Sequence, residues 1–227
     1  MSDAGLIGYA YDGAAFTFTG LLIVGYHAYL RLSARRDADV ILSHVAIRAR
    51  TAWVRAMMSD KTNGLLAIQT LRNTTMAATF LASTAILLIV GVLTLSGQAT
   101  SLQSSWHFLN FFGTVAPQLW LIKLLCLLFT LLFAFFCFSN AIRVLNHVGY
   151  MINTQDDTQG GLFSTSQVAA ELNRGGRYFS LGIRAYYYLA TFVFWLFGPL
   201  YLVFAAVILI GFVLPKIDKV PQIKQFK

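Results

Sequence analysis

The stretch QTLRNTTMAATFLASTAILLIVGVL, residues 69–93, starts polar and ends as an uninterrupted apolar run. A helix rises about 1.5 Å per residue, so roughly 20 apolar residues cross a hydrocarbon layer about 30 Å thick. The second part of the stretch therefore reads as a membrane span. Gln69, Arg72 and Asn73 stand at its mouth. A guanidinium brought that close to hydrocarbon is costly, so Arg72 calls for a partner.

Three more runs of the same kind lie on either side. Their limits predict spans at about 9–30, 64–95, 115–145 and 180–214. Links at 31–63 and 146–179 join them within one domain over 1–215, and a basic tail follows at 216–227. The 227 residues are 57% hydrophobic and 11% charged, whereas a soluble domain carries about a quarter charged residues. The predicted fold class is an all-α integral membrane protein: four transmembrane helices plus a cytoplasmic amphipathic helix.

The opening residues, MSDAGLIGYAYDG, carry an acid where a signal peptide has its basic region, so the first span is expected to be retained. Cys126 and Cys137 lie eleven positions apart on one predicted helix, too far to bridge, and read as free thiols.

Basic residues set the expected orientation. Arg31, Arg35, Arg36, Arg48, Arg50, Arg55 and Lys61 crowd the first link, and Arg143, Arg174, Arg177 and Arg184 surround the second. The N-terminus and residues 96–114 carry none. The positive-inside rule then puts both links in the cytoplasm and the N-terminus outside, in a cell membrane, with a bacterial inner membrane expected. Lys216, Lys219, Lys224 and Lys227 in the tail pull the other way. The net charge of +8 predicts attraction to anionic lipids of the bilayer. Nucleic acid is not an expected partner, because no recognition motif accompanies the charge.

The first link has helical periodicity. Ile41, Leu42, Val45, Ala46, Ala49, Ala52, Trp53, Ala56 and Met57 share one side, and Arg48, Arg50, Thr51 and Arg55 the other, joined by Val54. Such a helix either lies in the membrane interface or leans its Ala-rich side on a neighbour. In the second link, Ser164 with Gln167 fits a capping box that opens a short helix ahead of Gly175–Gly176.

Polar residues enter the spans at their cytoplasmic ends. Gln69, Arg72, Asn73, Asn140, Arg143, Arg184 and Tyr187 are the predicted binding residues of a polar chamber for an anion or a lipid headgroup. Gln69, Arg72, Asn73, Met76, Phe80, Ser83, Leu87 and Gly91 follow one helical face, expected to look into the bundle. His27 and His147 form a hydrogen-bonding pair in this reading, or alternatively ligate haem b. No other cofactor and no metal is expected.

All nine acids, Asp12 among them, are read as lying outside the apolar runs or at their ends. This disfavours a proton- or sodium-coupled pump. Lys123 is read as snorkelling to the interface. The chain shows no HExxH, GxSxG, paired CxxC or phosphate-cradling glycine loop, so no enzymatic activity is expected.

The segments WVRAMM (53–58), AIQTLRNTTMAATFLAST (67–84) and LNRGGRYFSLGIRAYYYLATFVFWLFGP (172–199) resemble the family of membrane proteins catalogued as domain of unknown function five-nine-nine. The resemblance spans about His27 to Pro199. It rests on Gln-x-x-Arg-Asn and Gly-x-Arg-x-Tyr-Tyr, and it matches Gln69, Arg72, Asn73, Met76, Asn173, Gly182, Arg184, Tyr186, Tyr187 and Trp195. It implies the four-span plan and no particular activity. The functional expectation is an oligomeric, channel- or transporter-like protein that binds an anionic solute or lipid headgroup in the cytoplasmic-side chamber. The alternative is an accessory subunit docking on a larger membrane complex. Four spans are few to enclose a pathway, so a homo-oligomer is expected.

Overall fold

The structure, a computed structural model, describes residues 3–36, 42–98, 117–154 and 162–218. Every regular element among them is helical: α1 (Asp3–Arg36), α2 (Leu42–Met58), a 3-10 turn (Lys61–Asn63), α3 (Gly64–Gly97), α4 (Pro117–Ile152), α5 (Thr165–Trp195), α6 (Pro199–Ile208), a π segment (Leu209–Val213) and α7 (Leu214–Asp218). Hydrocarbon offers no hydrogen bonds, so a chain crossing it must satisfy its backbone within each segment. Four helical stretches are long and apolar enough to do so: Gly8–Ser33, Gly64–Gly97, Gln118–Ile152 and Pro199–Asp218. The protein is an all-α, multi-pass membrane protein. Most of the basic tail lies outside the described residues.

The fourth apolar stretch differs from the expected 180–214. Helix α5 ends at Trp195, and Gly198 turns the chain with φ 143 before Pro199 opens α6. Proline has no N–H to continue the preceding helix, and glycine alone takes that φ without strain. Gly175–Gly176 likewise end nothing: α5 runs through them to Trp195. A Cβ on Gly175 would sit 3.3 Å from Leu145 and Val144 of α4, so this glycine serves close helix approach. The capping box does form. The Ser164 amide donates to Gln167 Oε1 at 2.8 Å, and the Gln167 amide to Ser164 Oγ at 3.3 Å.

The chain divides into two compact units. Unit 1 holds Met1–Val45, Val92–Leu127 and Tyr187–Lys227; unit 2 holds Ala46–Gly91 and Leu128–Tyr186. In unit 2, Val54, Leu71, Leu145, Val148, Val168 and Leu172 form one apolar core, and Ala82, Ala134, Phe138 and Ala185 a second. The buried side of α3 is Ala67, Leu71, Ala78, Ala82 and Ala85. Lipid tails are as apolar as leucine, so membrane helices associate through close packing, which small side chains allow. Here the expectation is corrected. Gln69, Arg72, Asn73, Met76, Phe80, Ser83, Leu87 and Gly91 lie on the exposed side of α3, and the alanine face packs inward.

Helix α2 also turns differently from the expected wheel. Val54 is its fully buried residue, with Trp53, Met57 and Met58 against the same core, while Ala49, Ala52 and Ala56 are exposed. The charged side is partly inward as well. Arg50 Nη1 donates to Asn173 Oδ1 at 3.2 Å, and Asn173 Nδ2 to Thr51 Oγ1 at 3.3 Å. Partial burial lowers the Arg50 pKa from its ordinary value.

Unit 1 is built from α1, α6, the π segment, α7 and the parts of α2, α3, α4 and α5 that fall in it. Its apolar clusters centre on Trp120, Leu124, Leu127 and Leu196; on Ala15, Trp195 and Leu202; and on Tyr26, Leu209 and Leu214.

Candidate functional site

Among the polar residues of α3, Arg72 stands beside a cleft of about 930 Å³ in unit 2. Leu71, Met76 and Phe80 of α3 and Leu145, Asn146 and Tyr150 of α4 line it. Its wall is mostly apolar. Asn146, Asn153 and Thr154 add polar groups from α4 and its end, and Phe80 and Ser83 lie two to three turns beyond Arg72 along α3. The hydroxyl of Thr79, which also lines the cleft, is turned back onto the Thr75 carbonyl at 2.9 Å. The cleft is thus a mostly apolar trough bordered by the Arg72 cation, the complement of an amphiphile with an anionic end.

The other expected chamber residues are distributed elsewhere. Gln69, Asn73 and Arg143 are exposed and do not line the cleft. Asn140 is half-buried, and its amide donates to the Phe136 carbonyl of its own helix at 2.8 Å. Arg184 is half-buried on α5. Tyr187 belongs to unit 1, in the cluster of Tyr26, Leu209 and Leu214. In one chain, then, Arg72 and Asn146 share the cleft; the seven expected residues do not share it.

The two histidines fall in different units. His27 Nδ1 lies 2.9 Å from the Ile23 carbonyl, and its Nε2 lies 3.4 Å from the Tyr188 hydroxyl. Both ring nitrogens are engaged, and a haem iron would have to displace one of these contacts. His147 lines a second, more polar cavity in unit 2. Among the described residues no group of three or more His, Cys, Asp or Glu side chains is arranged to hold a metal ion.

The arrangement that sequence reasoning missed is in unit 1. Asp12 is fully buried, and its Oδ1 lies 3.0 Å from Lys123 Nζ, itself only 4% exposed. The Trp195 indole N–H donates to the same Oδ1 at 2.8 Å, and the ammonium stands 5.4 Å from the centre of that indole. Asp12 Oδ2 is buried without a hydrogen-bond partner among the described residues. Lys123 does not snorkel, and Asp12 is an interior carboxylate. The readable signal was one acid and one lysine, each alone in an apolar segment. What the sequence could not supply was the side-by-side placement of α1 and α4. Taking two charges out of water costs several kcal/mol each, so such a pair is weak evidence of added stability.

Several residues behind the family resemblance acquire structural duties. Asn173 holds Arg50, Gly182 lies under the Phe138 ring, Trp195 holds Asp12, and the Tyr186 hydroxyl donates to the Leu81 carbonyl at 2.5 Å. No curated protein and no solved structure matches the chain. The family described as "Protein of unknown function, DUF599" matches residues 14–222, which is most of the sequence. With its four apolar helices and this match along nearly its whole length, the chain belongs to the DUF599 family.

Proposed function

We propose that this protein binds the anionic headgroup of a lipid, or a solute of like charge, at the Arg72 cleft, and serves in a channel- or transporter-like role as a homo-oligomer. The observation that carries the reading is a single guanidinium set into a largely apolar trough on α3 and α4. Arginine keeps its charge and offers a planar fork of donors that fits phosphate and carboxylate oxygens. The exposed side of α3, with Gln69, Arg72 and Asn73, is available to lipid or to a second copy of the chain. The basic links face the cytoplasm of a bacterial inner membrane in this reading, with the N-terminus outside, on the strength of the charge asymmetry. No enzymatic step, cofactor or nucleic acid enters it.

Arg72→Ala is expected to reduce retention of anionic lipid on the purified chain by about tenfold or more, and Arg72→Lys to reduce it less, since the charge survives and the fork is lost. Native mass spectrometry against a zwitterionic lipid reads this. Equal retention by wild type and Arg72→Ala removes the proposal. Anion flux into proteoliposomes tests the transport role separately, and flux no faster than in protein-free vesicles ends that part.

A second reading has its own support: an accessory subunit of a larger membrane complex. Ala49, Ala52 and Ala56 form an exposed small-residue face on α2. Co-purification of a stoichiometric partner from gently solubilised membranes favours it over the homo-oligomer.

A further inference from the structure

Helix α5 carries a polar stripe that the Arg72 cleft does not use. Gln167, Ala170, Glu171, Arg174, Arg177 and Tyr178 recur at spacings of three and four, so they share one side of the helix. Val168, Ala169, Leu172 and Gly175 occupy the opposite side and are buried. The stripe borders an open cavity of about 770 Å³ within unit 2, flanked on α4 by His147 and Met151.

Its charges are arranged. Arg174 Nη1 lies 3.2 Å from Glu171 Oε1, and the same guanidinium stands 6.0 Å from the Tyr178 ring, so Arg174 is held from two sides. Arg177 and His147 make no hydrogen bond or ion pair among the described residues. Two arginines against one glutamate leave a single net positive charge. That balance matches one negative charge. A phosphodiester carries one, whereas a phosphate monoester approaches two near neutral pH. The volume far exceeds a bare oxyanion. The rest of the wall offers the Gln167 side-chain amide as donor, its oxygen being held by Ser164, together with the second Glu171 oxygen and the Tyr178 hydroxyl, which between them can accept from and donate to hydroxyl groups.

We propose that this cavity is a second binding site, specific for a phosphodiester with a hydroxyl-bearing head, in which the unpaired Arg177 grips the phosphate and the Gln167–Glu171–Tyr178 side reads the hydroxyls. It is separate in residues and in chemistry from the Arg72 cleft, which is mostly apolar. The same chemistry arrives either as the headgroup of a glycerol- or sugar-headed phospholipid or as the free phosphodiester.

The test uses the full chain in mild detergent, titrated with phosphatidylglycerol or phosphatidylcholine and read by native mass spectrometry, in an Arg72→Ala background that silences the first cleft. Phosphatidylglycerol is expected to be retained in preference to phosphatidylcholine. Arg177→Gln is expected to lower that retention by about tenfold, the scale of one lost hydrogen bond to a charged group. Ala170→Trp, at an exposed position on the cavity wall, is expected to lower it by occupying the space. If Arg177→Gln fails to fold, Ala170→Trp decides alone. Equal retention of the two lipids, or undiminished phosphatidylglycerol in every folded variant, overturns the site. Glycerophosphoglycerol that displaces the lipid at comparable concentration assigns the free phosphodiester as ligand; failure to displace it assigns the lipid, and the site stands in both cases.

Discussion

Lys123→Met is expected to destabilise the protein by about 3–5 kcal/mol, because it strands the Asp12 carboxylate in a fully buried position. The size of the effect follows from what is left behind. Asp12 keeps the Trp195 indole as its donor, and its Oδ2 has no partner among the described residues to fall back on. Asp12→Asn/Lys123→Met removes both charges while leaving an amide oxygen for the indole. It is expected to recover most of the loss, since an uncharged pair carries no desolvation debt. Unfolding in mixed micelles with increasing SDS measures all three chains. A single variant within about 0.5 kcal/mol of wild type, the range of an ordinary surface change, would show that the pair is not buried as described. A double variant as damaged as the single would show that the side-chain stems, not the charges, hold α1 to α4.

The second large effect is expected at Gly182. A Cβ there would stand 2.6 to 2.9 Å from three atoms of the Phe138 ring. That ring is fully buried and cannot move aside easily. It meets Phe179 at 5.8 Å and Tyr186 at 5.4 Å, both edge to face, and Tyr186 is tied to the Leu81 carbonyl. Gly182→Val therefore forces α4 and α5 apart, at a cost of about 1–3 kcal/mol typical of overpacking. Phe138→Leu gives up ring contacts but opens the space, so Gly182→Val/Phe138→Leu is expected to cost less than the two single changes added together. A double-mutant cycle in the same SDS titration reads that coupling. Strict additivity would mean that Gly182 does not touch Phe138.

Both effects rest on residues whose significance came from their neighbours, and this separates what was legible from what was not. The membrane class follows from composition and run length alone, because the thickness of hydrocarbon sets a length that any chain must meet. Three apolar helices lie close to where their runs place them, at Gly8–Ser33, Gly64–Gly97 and Gln118–Ile152. The cap at Ser164–Gln167 was readable because it is made by residues three apart, and so was the stop signal at Gly198–Pro199, though the long apolar run around it concealed the break.

The faces of the helices were another matter. On α3 the polar side was expected to be an interior because ionisable residues within spans usually face the bundle, yet here the alanine side packs inward and the polar side is exposed. On α2 the most buried residue, Val54, was assigned by periodicity to the polar side, and that side turns partly inward because Arg50 and Thr51 have a partner 122 or more residues away in Asn173. Local sequence determined that this chain forms long apolar helices, where they can begin, and which residues carry charge into them. Only the tertiary structure decided which charges meet. Asp12, Lys123 and Trp195 lie far apart in the chain, and no periodicity within one helix encodes its rotation against another; that rotation is set by which small side chains let two backbones approach.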